Sequence, residues 1–408
     1  MHHHRRIRQV VTVTAVALSV SGSLLALTTP AFAGTAFTSG DVVVYRVGDG
    51  TTTLGSSGAS VSLDEYSPTG TLVQSVPLPT AGNGSNKPLV AGGTATSEGE
   101  LTLSADGQYL MATGYDSSVG TSGLSASAAA TVPRTVARVD SNTIVDTTTA
   151  LTDFADANNP RSATSSDGTH LWVGGAAGGV RYTTLGSSTS TALTSSTFKN
   201  VREVSIVGGQ LYTSADPTKA SVTVATVGTG LPTSGTQTPT DLPGIPTTTQ
   251  PYEYVLLTLG SGAGPDTVYL ADDASPGATA TATIDKFSRS GSTWVAEGSV
   301  TVGNVLGLTG SVVNGQAVLY ATSSANSGQG GTLTKVVDSA GAGATMSATS
   351  TLLATAPANE AFRGVAFAPV SLTVGSGLPE TPYALLLPGL AGIGLAGFVL
   401  VRRRRLTT

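Results

Sequence analysis

The chain has 408 residues, 51 of them glycine, with 11% charged and 39% hydrophobic residues and no cysteine. That hydrophobic share with so few charges excludes a disordered chain, which needs low hydrophobicity and high net charge, and the missing cysteines exclude disulfides, thiol nucleophiles and Cys-ligated zinc. Setting aside Arg5, Arg6, Arg8, Arg402 to Arg405 and Glu380 leaves thirteen basic residues against twenty-four acidic ones in the body, a balance that repels phosphate backbones and argues against a nucleic-acid partner.

Residues 1–33 read as an export signal. Arg5, Arg6 and Arg8 form a positive start, Val10 to Leu27 an apolar stretch, and Ala31-Phe-Ala33 a small-x-small cleavage site. The mature protein is expected to begin near Gly34, outside the cell. The three histidines after Met1 fall inside this segment and are assigned no metal.

The body, residues 34–370, is rich in Thr, Val, Ser and Gly, the composition of strands and turns. Its organising unit is Leu103-Ser-Ala-Asp-Gly-Gln-Tyr-Leu110, in which an Asp-Gly corner joins two apolar runs. Glycine accepts the positive φ of such a corner, so the stretch predicts a hairpin. The second strand of this hairpin recurs from Gly40, Gln108, Thr169, Gln210, Asp266 and Gln316. First strands precede five of the copies, at 101–103, 162–164, 204–206, 255–257 and 308–312, while the copy at Gly40 has none. Third strands follow at 61–66, 135–139, 179–182, 221–225, 282–287 and 332–336, and fourth strands after polar turns, for example at 71–76, 143–146 and 293–296.

Four strands per unit, repeated every forty to sixty residues or so, is the sequence form of a β-propeller. The reading is all-β, with six four-stranded blades; a seventh blade within the Gly/Ala/Ser stretches is the alternative. The first unit lacks an inner strand and Phe362-Arg-Gly-Val-Ala-Phe367 is left over at the far end, so the two are expected to pair, closing the ring and leaving no open edge.

Leu103 to Leu110 and Thr164-Ser-Ser-Asp-Gly-Thr-His-Leu171 resemble the Ser-x-Asp-Gly-x-x-Leu blade hairpins of bacterial secreted propellers, including lactonase-like and surface-layer repeat proteins. The body as a whole resembles secreted proteins of high-GC Gram-positive bacteria. These motifs imply blade geometry and carry no chemistry. Later copies depart from them, as in Val207-Gly-Gly-Gln210.

Two sets of residues are candidate sites. Gly99, Arg161, Arg202, Glu253, Leu306 and Arg363 open the inner strands in turn, on the face where the channel mouth is expected. Arg161, Arg202 and Arg363, with Glu253, are candidate ligand-binding residues, because guanidinium groups grip carboxylate or phosphate. The alternative is that they pair with Glu100, Glu203 or Glu360 and seal the channel. At the ends of second strands stand Asp49, Asp116, Asp216, Asp272 and Asp273, where converging carboxylates could hold Ca²⁺. Of these, Asp116, Asp216, Asp272 and Asp273 are the candidate metal residues, and turn formation by their own side chains is the alternative. No other cofactor is expected.

Catalysis is limited by scarcity. His170 is the sole histidine after residue 33, and no Gly-x-Ser-x-Gly elbow occurs. Adjacent carboxylates such as Asp64 and Glu65 fall on opposite faces of a strand. Two function classes remain: a non-catalytic surface protein binding a glycan, a protein or a small anion, and a secreted hydrolase, lactonase or lyase acting at the channel mouth.

Beyond the body, residues 371–382 form a linker carrying Leu378-Pro-Glu-Thr-Pro382, and residues 383–401 are nineteen mostly apolar residues followed by Arg402 to Arg405. At about 1.5 Å per residue this stretch can span a hydrocarbon core of roughly 30 Å, with the arginines inside as a basic tail, 402–408. Motif, helix and arginine cluster resemble Gram-positive cell-wall sorting signals and Pro-Glu-Pro type sorting tails. Pro382 stands where the sortase pattern has glycine, so both a plain membrane anchor and covalent attachment stay open.

Overall fold

A computed structural model of the chain describes residues 34–273, 282–324 and 328–371. The chain divides into a compact unit ending at Ser371 and a second unit from Leu372 to Thr408. The signal segment, the sorting-like motif and the expected transmembrane helix lie outside the described residues. Among the described residues no helix is long and apolar enough to cross a membrane.

The compact unit is an all-β, six-bladed propeller of antiparallel four-stranded sheets. Blade 1 runs from Ala361–Phe367 through Val42–Val47 and Val61–Tyr66 to Leu72–Pro77. Blade 2 has Thr102–Leu103, Tyr109–Tyr115, Arg134–Asp140 and Val145–Leu151, and blade 3 has Pro160–Ser165, His170–Gly175, Val180–Thr184 and Thr191–Ala192. Blade 4 has Val201–Val207, Gln210–Ala215, Val224–Val227 and Pro239–Asp241. Blade 5 has Pro251–Leu257, Thr267–Asp272, Thr283–Ser290 and Thr293–Val300. Blade 6 has Val305–Val313, Gln316–Ser323, Thr332–Asp338 and Ala348–Thr355. The inner strands touch one another in this order, and blade 6 returns to blade 1, which closes the ring.

Closure uses the pairing expected from the sequence. Val42 faces Phe367, Val44 faces Val365 and Val47 faces Ala361. Both faces of the ribbon are buried, Val42 and Val44 in one cluster and Val43, Tyr45 and Val47 in another, and a slip by one residue would exchange the two sets. Val42, Val44, Phe362 and Val365 are all buried and pack with Tyr66, Tyr320 and Leu333, so the seam lies inside the core between blades 1 and 6.

The hairpins follow from their corner residues. In blade 2, Asp106 accepts hydrogen bonds from Ser104 Oγ, Gln108 N and Gln108 Nε2, while Gly107 takes φ 73°. Asp167 and Gly168 repeat the arrangement in blade 3. Blade 4 replaces it with a two-residue corner at Gly208-Gly209, flanked by the Val207 and Gln210 pair, in which both glycines have positive φ. Loss of the Asp is therefore tolerated, since a tighter turn of the primed type does the same work.

Blades 5 and 6 are joined by a buried ion pair. Lys286 Nζ lies 2.8 Å from Asp338 Oδ2, both side chains being fully buried, and also donates to the carbonyls of Ala340, Gly341 and Ala344. Burial alone would push the Asp338 carboxyl up. Bonds from Lys286, Tyr269 Oη and the Ser347 and Ala340 amides outweigh it and hold the group below its ordinary range. Removing one partner leaves an uncompensated buried charge, so Lys286→Met should lower stability by about 3 kcal/mol or more in a urea titration. The double replacement Lys286→Met with Asp338→Leu should recover much of that loss.

Candidate functional site

The residues that open the inner strands share a backbone feature that strand patterning does not show. In blades 1, 3, 4, 5 and 6 the inner strand carries one residue more than its partner at this end. Arg161 and Leu306 are the extra residues of blades 3 and 6; Arg202 with Glu203, Tyr252 with Glu253, and Arg363 with Gly364 are the irregular pairs of blades 4, 5 and 1. A bulge re-aims side chains and frees backbone groups from the ladder. Here it brings acidic, basic and aromatic side chains into the mouth of the channel.

The freed backbone groups are taken up by side chains of neighbouring blades. Thr102 Oγ1 of blade 2 donates to Ala163 O at 2.5 Å, and Ser162 Oγ of blade 3 donates to Arg202 O at 2.7 Å while accepting from Val204 N. Ser214 Oγ of blade 4 donates to Tyr252 O at 2.5 Å, and Thr322 Oγ1 of blade 6 donates to Arg363 O. Glu203 accepts from Tyr254 N at 2.7 Å. Glu253 reaches furthest: its two oxygens accept from Leu308 N of blade 6 at 2.6 Å and from Leu101 N of blade 2 at 3.0 Å. Its carboxylate is thereby spent on the scaffold. Burial pushes Glu203 and Glu253 well above the ordinary carboxylate range, with repulsion from Glu100 adding to it at both and repulsion from Glu203 at Glu253.

Three arginines remain, exposed by 7% at Arg161, 5% at Arg202 and 2% at Arg363. Arg363 Nη2 donates to Gly92 O and Gly93 O, at 3.3 and 3.1 Å. Arg202 lies over the Tyr252 ring at 3.9 Å, with Asp273 Oδ2 at 3.8 Å from its Nη1. Yet Nε and Nη1 of all three arginines have no hydrogen-bond partner among the described residues, and neither has Glu100 Oε1 or Oε2. Burial raises Glu100 to about 7 against the pull of Arg161 and Arg202, and raises Asp273 to about 6 against that of Arg202.

The segment between blades 1 and 2 lies against this mouth. Ala91–Gly92 pairs with Gly58–Ala59, and Glu98 accepts from Gly92 N, Tyr115 Oη and Asn159 Nδ2. The cavity beneath, lined by Thr96, Glu98, Glu100, Tyr252, Glu253 and Arg363 among others, measures about 10 Å³, room for about one water molecule.

The sequence-derived residues are thus partly gathered. Arg161, Arg202, Glu253 and Arg363 meet at one mouth, with Glu100 and Glu203 among them. Glu360 does not join them, because it is bound to Arg46 at 2.5 Å, beside Asp64. Sequence reasoning missed Glu98, Tyr252 and Asn159; the one available signal was their position just before or within the first residues of inner strands.

The loop aspartates are not gathered. Asp216 caps the single turn Pro217–Ala220 through Thr218 and binds Asn200, Asp272 accepts from Gln250 N, Asp49 accepts from the Thr51 and Thr52 amides, and Asp273 faces Arg202. Asp116 is raised by partial burial. Among the described residues no three His, Cys, Asp or Glu side chains stand close enough to hold a metal. His170 is exposed and stacks on Tyr182, with Nδ1 2.6 Å from its hydroxyl.

Fold and site together define a six-bladed propeller with a charged, covered channel mouth. No family model and no curated protein matches the chain. Similar solved structures include a candidate 6-phosphogluconolactonase of Bacteroides fragilis (12% identity, 78% of this chain and 82% of that one, TM-score 0.39). A GH74 enzyme of Niastella koreensis (15%, 79% and 46%, 0.42) and a protein of Lactobacillus plantarum (10%, 76% and 82%, 0.40) are others. At such identities and scores these likenesses say nothing of activity, and the propeller rests on its own six sheets.

Two outcomes test the mouth. A Cβ on Gly364 would stand 2.2 Å from Leu101 N and 2.7 Å from Glu253 Oε1, so Gly364→Ala should cost about 3 kcal/mol in denaturant unfolding. Glu100 is raised from an ordinary 4.5 to about 7, so the folded state keeps a proton that the unfolded chain has lost, and stability falls as pH rises through that window. Glu100→Gln should remove roughly 2–4 kcal/mol of that fall, read as a flatter Tm profile.

Proposed function

We propose that the chain is a propeller displayed outside the cell, held there by its C-terminal tail, and that it works as a non-catalytic binding or scaffold protein for a glycan or a protein. One observation carries the non-catalytic part. The charged groups of the mouth are buried under a hydrogen-bonded segment, and the cavity beside Glu100 and Arg363, about 10 Å³, has room for about one water. Glu98, Glu203 and Glu253 are, moreover, spent on backbone and side-chain donors of the scaffold. What a propeller of this kind offers a partner is its outer surface, where exposed side chains include Leu72, Val73, Val295 and Leu352.

Display outside the cell is supported by the order of features in the sequence: a basic start, an apolar stretch and Ala31-Phe-Ala33 at one end, and an apolar stretch followed by Arg402 to Arg405 at the other. The test is protease treatment of intact cells that make the full chain. Propeller fragments should be lost or released before lysis, while a cytoplasmic marker stays whole; protection of the propeller until lysis would overturn the placement. Turnover of lactone or glycoside substrates that is abolished by Arg202→Ala would instead establish the hydrolase reading.

A further inference from the structure

Buried polar groups in native proteins have partners, and the mouth concentrates an exception. Six guanidinium nitrogens, Nε and Nη1 of Arg161, Arg202 and Arg363, are buried without hydrogen-bond partners among the described residues, as are both oxygens of Glu100. These side chains are all more than nine-tenths buried. Arg363, Glu100 and Tyr252 line the same water-sized cavity, and Arg161 and Arg202 act on both Glu100 and Tyr252.

We propose that this cavity is a binding site for one monovalent anion of halide size, held beside Arg363 and balanced by the charge of Arg161 and Arg202, with Glu100 as its competitor. A cavity of about 10 Å³ favours a monatomic anion over the larger oxyanions that the arginines alone would suggest. Charge sets the count. Asp273 faces Arg202, Asp216 also acts on Arg202 but is bonded to Asn200 and Thr218, and Glu98 stands near Arg161 and Arg363 but its oxygens already serve Gly92, Tyr115 and Asn159. Glu100 is thus the one nearby carboxylate with neither oxygen engaged.

When Glu100 is ionised it balances the third arginine itself; when it takes up a proton, a single anion restores the balance. Proton and anion therefore bind together. The groups acting on Glu100 are Arg161 and Arg202 from the inner strands of blades 3 and 4, and Glu98 from the segment that precedes blade 2. Glu203, Tyr252, Glu253 and Arg363 in turn feel Glu100, as does Tyr45 from the second strand of blade 1. The inference is independent of where the protein is displayed.

The experiment compares thermal unfolding of the purified full chain in sodium chloride and in sodium gluconate of equal ionic strength, at about pH 6.5, where Asp273 keeps most of its charge while Glu100 is largely protonated, and at about pH 8.5. Chloride should raise the Tm of the parent protein at the lower pH and not at the higher, and in Glu100→Gln it should do so at both. A chloride effect absent at the lower pH, or matched by gluconate, overturns the site. A chloride effect in the parent that does not change with pH overturns the competition with Glu100. Crystals grown at low pH and soaked in bromide give a second readout free of variant folding. Anomalous scattering beside Arg363 supports the assignment, and ordered water alone in that position overturns it.

Discussion

Five inner strands begin with one residue more than their neighbours can pair, and the backbone groups released by that surplus must be satisfied where solvent scarcely reaches. Each such group costs on the order of 1–3 kcal/mol if left alone. The chain meets the demand with side chains from adjacent blades: Ser162, Ser214, Thr322, Glu203 and Glu253. A local irregularity thus becomes a circumferential bond, and the blades are tied to each other by polar contacts at the centre as well as by apolar packing between sheets. Glycine completes the device where blades come closest. At Gly307 a Cβ would meet Thr322 Oγ1, Arg363 O and Gly364 Cα, so the inner strands of blades 6 and 1 approach at backbone distance, with the Thr322 hydroxyl of blade 6 beside them.

The same requirement explains why the mouth is rich in charge and poor in reactive freedom. A glutamate that bridges two amides, as Glu253 does, holds geometry, and burial drives it toward its neutral form. Arg161, Arg202 and Arg363 are buried there beside the glutamates, and the planar head of Arg202 lies over the Tyr252 ring. Two arrangements of the same three arginines were open from sequence, ligand grip and channel seal. The geometry buries the heads and leaves Nε and Nη1 of each without a hydrogen-bond partner among the described residues.

Much of this was legible in the residues. The seam between Val42–Val47 and Ala361–Phe367 could be read because both ribbons are short apolar runs whose partners are missing elsewhere. The equivalence of Arg161, Arg202, Glu253 and Arg363 followed from their shared place before each inner strand. Bulges were not legible, since an extra residue leaves no mark on composition or alternation. Outer strands of blades 3 and 4 also escaped notice, being only Thr191–Ala192 and Pro239–Asp241, too short to show a period. Loop aspartates drew attention as oxygen ligands, yet Asp49 and Asp216 mostly serve their own turns, a use that the same Asp-Gly and Asp-Pro pairs signal equally well.

Because the innermost strand of blade 1 is the last strand of the described chain, its free end leads directly to Ser371. Tension entering there would meet the Phe367 and Val42 end of the seam first, so a pull on the carboxyl-terminal end acts on the same cross-strand bonds that shut the wheel.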